Sequence, residues 1–316
     1  MVWGMNPRAP VWAWRALMAC TASADLRRFS RDPIRSVDYT FDVDYVGDGI
    51  RGHRLDVITP RRLANDEPRS LPVYVYFHGG GWTSGDKAPL TKYCASQAAD
   101  GMVVVNVNYR TATRFQMHHI LQDAAAALDW VTNKIRDFGG DPDRIVLGGD
   151  SAGGQIAALL AATTRDGELA AHYGIEPHAD IRGVVQHCSA VDFSVILERG
   201  FVMSLNFVRM LLPGRGRGMV LSEAIRFLSP IEWIGPSFPP VFVTTSERDL
   251  FYRANLNFLD RLRSSRVSVE TLIYGAASSN TRHTWQQDSR LEESQEVYRR
   301  LQAFVRRVAM PRTVAV

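Results

Sequence analysis

The sequence predicts an α/β fold, a mostly parallel central sheet flanked by helices, with a helical cap. Three observations carry that expectation. Six short, β-branched runs are apolar almost without interruption: VYVYF (73–77), MVVVNVN (102–108), RIVLGG (144–149), IRGVVQH (181–187), VFVTTS (241–246) and VSVETLIY (267–274). Such runs suit strands buried on both faces. Helical stretches lie between them, notably 117–137 and 152–164, and strand–helix alternation argues for a parallel sheet with helices on both sides. One long segment, 192–236, breaks the alternation.

Taken in order, residues 8–31 read as one or two amphipathic helices with Trp12, Trp14, Leu17 and Met18 clustered. TFDVDYV (40–46) and HRLDVIT (53–59) alternate in polarity and look like an antiparallel pair. The parallel strands follow. Segment 192–236 is too long for a plain crossover. Its apolar residues Met203, Phe207, Met210 and Leu211 recur at helical spacing and are interrupted by PGRGRG, a flexible basic hinge. It reads as an inserted cap whose inner face those four residues form.

A chain of 316 residues with 46% apolar content can bury a large core. The net charge of +4 is small, although residues 1–40 hold six Arg against three Asp, and Arg299, Arg300, Arg306, Arg307 and Arg312 crowd the last stretch. No basic run is dense enough to grip phosphates, so nucleic acid is not an expected partner. Cys20, Cys94 and Cys188 are sparse and unpaired in spacing, which argues against a disulfide framework or structural zinc and for a reducing, cytoplasmic setting. The stretch APVWAWRALMACTASA (9–24) resembles a short signal core, and LMAC loosely resembles a lipoprotein cleavage site, the basis for an alternative envelope location. Arg15 in its middle speaks against that. Peripheral membrane contact through Trp3, Trp12 and Trp14 stays open, and oligomeric state is not readable.

The strand RIVLGG runs straight into GGDSAGGQIAALLAA, where Gly149-Asp150-Ser151-Ala152-Gly153 matches G-x-S-x-G. Strand before and helix after is the context of a nucleophile elbow, a sharp turn that presents the serine at a helix N-terminus. A serine hydroxyl needs a base, and the base needs an orienting carboxylate. On such an elbow the partners follow in the order carboxylate, then histidine. His283, in SSNTRHTW after the last strand run, is the expected base. His172 and His178 fall in a connection, and His187 comes too early. After VFVTTS the segment ERDLFYRA offers Asp249, the expected carboxylate, with Glu247 as the alternative. His118 and His119 point in different directions on a helix and have no carboxylate or Cys at ligand spacing, so no metal is expected.

Upstream, YVYFHGGGWTSGD (74–86) puts His78, Gly79, Gly80, Gly81 and Trp82 at a strand end. HGGGW together with GDSAGG, the Asp249 loop and the His283 loop resembles the hormone-sensitive-lipase-like branch of the α/β-hydrolases. Asn108-Tyr109-Arg110, Asp123 and Trp130 look like the family's segment after the fourth strand. The resemblance covers roughly residues 38–308. Gln116 stands where the family usually has proline, Leu250 follows Asp249 directly instead of a proline, and Arg282-His283-Thr284 replaces the more usual glycine-flanked histidine. The resemblance implies an α/β-hydrolase fold and cofactor-free hydrolysis of a small-molecule carboxylic ester, short- to medium-chain acyl. It implies a partition into N-terminal helices that join the cap (1–37), core (38–191), inserted cap segment (192–236) and core (237–316). The reaction would be acyl transfer: Ser151 attacks, His283 moves the proton, and backbone N–H groups of Gly80, Gly81 and Ala152 hold the oxyanion, with His78 anchoring the glycine loop. HGGGWTSGDK also looks like the loop of arylformamidases and feruloyl-esterase-like enzymes, so an amide hydrolase is one alternative. A non-catalytic binding protein on this fold is another.

Overall fold

The computed structural model describes residues 9–29, 32–61, 70–112, 114–176, 178–196, 198, 205–212 and 220–311. Among these, eight strands form one sheet in the order β1-β2-β4-β3-β5-β6-β7-β8. They are β1 (Val37–Asp44), β2 (Arg54–Pro60), β3 (Leu71–Phe77), β4 (Val103–Val107), β5 (Gly140–Asp150), β6 (Ile181–His187), β7 (Val241–Ser246) and β8 (Val269–Tyr274). β1 and β2 form the expected antiparallel pair, and β2 meets β4 antiparallel; all later neighbours are parallel.

The continuous apolar runs become strands because side chains of alternate residues serve two cores. Val73, Val75 and Phe77 of β3 join one core, and Tyr74 and Tyr76 join the other. The first core is covered by α3 (Met117–Lys134), α4 (Ala152–Thr163) and α9 (Tyr252–Ser264), the second by α2 (Thr91–Ala98) and α10 (Glu292–Val308). β8 departs from the expectation of burial on both faces. It is the last strand of the sheet and only half-buried, with Glu270 paired to Arg307 of α10. The expected helix over 117–137 ends at Lys134 and tightens into a 3-10 turn, Ile135–Phe138, which Gly139 closes at φ +77°.

The N-terminal stretch is one helix, α1 (Ala9–Phe29). Its described apolar side chains do not gather on one buried face as expected: Val11 is buried, but Trp12 and Leu17 are 52% and 56% exposed. Arg15 lies over the Trp12 ring instead. Trp3 and the Trp14 side chain lie outside the described residues.

In the long segment the described helices are α6 (Phe193–Ile196), α7 (Leu205–Leu211) and α8 (Leu221–Leu228), followed by a 3-10 turn, Pro230–Trp233. Leu211 is buried and Met210 half-buried; Met203, the Phe207 side chain and PGRGRG lie outside the described residues. α1 packs against α7, α2 and the turn Ala88–Leu90. α8 is held by α5 (Gly167–Tyr173): Tyr173 Oη donates to Phe227 O at 2.7 Å, the His172 ring stacks on Phe227, and Arg226 pairs with Glu168. Among the described residues no helix is long and apolar enough to cross a membrane.

Candidate active site

The carboxyl ends of β3, β5, β7 and β8 bring the predicted residues together. β5 ends at Asp150 and α4 begins at Ala152, leaving Ser151 alone in the turn at φ +53°, ψ −118°. A non-glycine residue in that region stores roughly 1–3 kcal/mol of strain. The surroundings impose the turn. A Cβ on Gly149 would lie 2.4 Å from Gly153 C, and one on Gly153 would lie 2.0 Å from Phe77 O. Glycines two before and two after the serine are therefore steric requirements of the turn against the end of β3. Ser151 N donates to His187 O at 2.9 Å, fixing the turn to β6.

His283 Nε2 lies 3.0 Å from Ser151 Oγ, and His283 Nδ1 lies 2.5 Å from Asp249 Oδ2. Neutral His283 with its proton on Nδ1 donates to the carboxylate and leaves Nε2 to accept from the serine hydroxyl. The second carboxylate oxygen accepts from Phe251 N at 2.7 Å. Asp249 and Ser151 are buried, whereas the His283 side chain is 28% exposed and borders a hollow lined by Arg248, Leu250 and Arg282. Glu247, the alternative carboxylate, is exposed and accepts from Ala276 N. His187 is engaged elsewhere: its ring nitrogens meet Tyr93 Oη and Thr244 Oγ1, and burial pushes its pKa down to about 3.

The glycine loop lies against the nucleophile, since a Cβ on Gly79 would sit 3.1 Å from Ser151 Cβ and 2.4 Å from Asp150 Oδ2. His78 is buried, stacks on Tyr109 with ring centroids 4.5 Å apart, and its Nδ1 is 2.7 Å from Gly79 O. That nitrogen must carry the proton, because a carbonyl only accepts. In a trans peptide the N–H points opposite to the C=O, so His78 sets the direction of the Gly80 N–H. Likewise Gly80 O accepts from Thr83 N, Ser84 N and Ser84 Oγ, which sets the direction of the Gly81 N–H. Ala152 N belongs to the first turn of α4, where a helix favours negative charge. Tyr109 Oη donates to His78 O at 2.7 Å, and Arg110 is pinned by Asp123, so the Asn-Tyr-Arg segment braces the same loop.

Four contributors went unforeseen. Tyr76 Oη donates to Asp150 Oδ1 at 2.5 Å, Gly79 N donates to the same oxygen at 3.2 Å, and Gln287 Nε2 donates to Oδ2 at 3.1 Å. Asp150 thus ties β3, the glycine loop and the loop following His283 to one carboxyl. Burial pushes that carboxyl above the usual range. Trp82 donates from Nε1 to Gln155 Oε1 at 2.9 Å, and Gln155 Nε2 donates to Leu228 O at 2.7 Å. This chain joins the glycine loop through α4 to α8. The last is Cys188, whose Sγ lies within 4.8 Å of an Asp249 carboxylate oxygen and a His283 ring nitrogen. Tyr76 and Gln155 sit inside apolar runs, where strand or helix spacing gives no sign of polar duty.

Comparison with known proteins agrees with this architecture. Residues 74–279 match the model of a family described as alpha/beta hydrolase fold. Carboxylesterase NlhH of Mycobacterium tuberculosis is 35% identical over 271 residues, which cover 80% of this chain and 81% of that protein. Probable carboxylic ester hydrolase LipM, of the same organism, is 29% identical over 241 residues, 75% of this chain but only 54% of LipM. Among solved structures, esterase B from Lactobacillus rhamnosis has a TM-score of 0.85 at 22% identity and 96% coverage of both chains. A Pyrobaculum calidifontis esterase has a TM-score of 0.69 at 23% identity, covering 98% of this chain and 95% of that one. The chain belongs to the α/β-hydrolase family, in the hormone-sensitive-lipase-like branch that its motifs resemble.

Proposed function

We propose that this α/β-hydrolase is a carboxylesterase that cleaves small carboxylic esters through an acyl-enzyme on Ser151. The observation that carries the reading is the unbroken series Ser151 Oγ, His283 Nε2, His283 Nδ1, Asp249 Oδ2, at 3.0 Å and 2.5 Å, on a strained strand-to-helix turn. NlhH and LipM, by name ester hydrolases, support the substrate class.

In the proposed mechanism His283 takes the hydroxyl proton as Ser151 Oγ attacks the ester carbonyl. Asp249 stabilises the imidazolium and holds its tautomer. Backbone N–H groups of Gly80, Gly81 and Ala152 donate to the developing oxyanion; one such donor is typically worth about 3–4 kcal/mol. His283 then passes its proton to the leaving alcohol, and a water activated by the same ring releases the acid. The described helices of segment 192–236, α6, α7 and α8, together with α1 form the cap over this centre, supported by the packing of α1 on α7 and the tie from Trp82 through Gln155 to Leu228.

The experiment is hydrolysis of p-nitrophenyl butyrate by the wild-type protein and Ser151→Ala. The expected result is turnover in the wild type and a loss on the order of 10⁴-fold or more in the variant, with an unchanged melting profile. Comparable rates in the two proteins would sink the reading. Acetate, butyrate and octanoate esters compared with N-formylkynurenine then separate ester from amide preference.

A further inference from the structure

Cys188 is the residue least explained by packing alone. It follows β6 directly, between the strand that delivers Ser151 and the strand that delivers Asp249. Its backbone is held on both sides: Cys188 N donates to Thr244 O of β7 at 2.9 Å, and the neighbouring His187 O accepts from Ser151 N. Its φ is +50°, a left-handed value that a cysteine adopts only where the surroundings hold it there. Within this turn the sulfur is fully buried, and Cys188 Sγ, a carboxylate oxygen of Asp249 and a ring nitrogen of His283 all lie within 4.8 Å of one another. Thr284, the residue after His283, sits at φ +58°, so the loop that carries the base holds a left-handed residue as well.

A carboxylate buried as deeply as Asp249 needs more than one donor to hold a single orientation. Phe251 N supplies one to Oδ1, and His283 supplies the second to Oδ2. The imidazole is the group whose position must be controlled, so it cannot be the sole constraint on that second oxygen. A thiol is a weak donor, but next to an ionised acceptor in a dry site it gains from the low local dielectric. Burial and the Asp249 charge both push the Cys188 thiol well above its ordinary range, which keeps the proton on sulfur and available for donation.

We propose that Cys188 is a positioning residue for the base, its thiol donating to the Asp249 carboxylate and fixing that carboxylate against His283. This rests on the hydrolase reading above. The two are separable, because Ser151→Ala tests the reaction and the Cys188 variants are compared with an enzyme already shown to be active.

The test compares Cys188→Ala, Cys188→Gly and Cys188→Ser on p-nitrophenyl butyrate across pH. Glycine suits the positive φ, so it removes the donor from a backbone that prefers this conformation even if the alanine variant folds poorly. Loss of the donor should lower kcat by roughly 10-fold, the worth of one weak hydrogen bond to a charged group, with KM unchanged. With less of its charge compensated, the carboxylate favours the imidazolium more, so the acid limb of kcat/KM should move to higher pH. Cys188→Ser restores a donor and should keep kcat within about 3-fold of wild type. In an Asp249→Asn background, Cys188→Gly should have no further effect, because the group it serves is gone. Unchanged kcat and acid limb in the glycine variant would overturn the proposal. So would a serine variant as impaired as the glycine one.

Discussion

The two flanks of Ser151 are made of different things. On the side proposed to hold the oxyanion lies bare backbone: Gly79, Gly80 and Gly81, with Gly149 and Gly153 packed so closely that an added Cβ would fall 2.0–2.4 Å from main-chain or carboxylate atoms at Gly79, Gly80, Gly149 and Gly153. On the base side lie side chains, Asp249, His283 and Cys188, delivered by three loops after β7, β8 and β6. The first flank is fixed by shape, and the second by hydrogen bonds between groups far apart in the chain. Damage should therefore look different on each. Steric damage should reach stability and activity together, whereas loss of a donor or acceptor should reach kcat first.

The largest effect that sharpens this contrast is Asp249→Asn. It should leave the fold intact, reverse the tautomer of His283, and lower kcat by about 10⁴-fold; Glu247→Gln, at an exposed position, should stay within about 3-fold. A greater loss for Glu247 by steady-state kinetics would move the carboxylate assignment. Next comes Gly153→Ala, whose methyl would collide with Phe77 O and His78 O. Overpacking of this kind costs about 1–3 kcal/mol or more, so denaturant titration should show lost stability together with lost activity. An unchanged midpoint would mean the turn is softer than its geometry. Smaller again is Asp150→Asn. The folded carboxyl has a raised pKa, so between the unfolded value of about 3.9 and the folded value the native state binds more protons than the unfolded one. Wild-type stability should then fall as pH rises through that window. Asp150→Asn should flatten that slope, as read from melting temperatures at pH 4–8. The smallest is Trp82→Phe, which removes the donor to Gln155 and should cost about 1–2 kcal/mol of stability with kcat nearly unchanged.

The same contrast explains what the amino-acid order reveals. Steric requirements leave a mark in residue type, because only glycine lacks a Cβ. HGGG and the glycines around Ser151 were legible for that reason, and the alternation of strand and helix was legible because burial on two faces demands continuous apolar runs. Ser151, His283 and Asp249 were legible through chain order at strand ends. Side-chain networks leave no such mark. Tyr76 and Gln155 look like core, Gln287 like an ordinary loop amide, and Cys188 like an isolated small hydrophobe. Nothing in spacing says that Tyr76 and Gln287, 211 positions apart, share one carboxyl. The N-terminal helix failed for the opposite reason: an apolar composition suggested a buried face, yet Trp12 and Leu17 face outward.

The most direct test of the central claim, that Ser151 is the acylated nucleophile, is mass spectrometry after treatment with diethyl p-nitrophenyl phosphate. One diethylphosphoryl group per chain should appear, on the peptide containing Ser151, with the Ser151→Ala protein unmodified. A stoichiometric adduct on another residue, or the same adduct on Ser151→Ala, would contradict it.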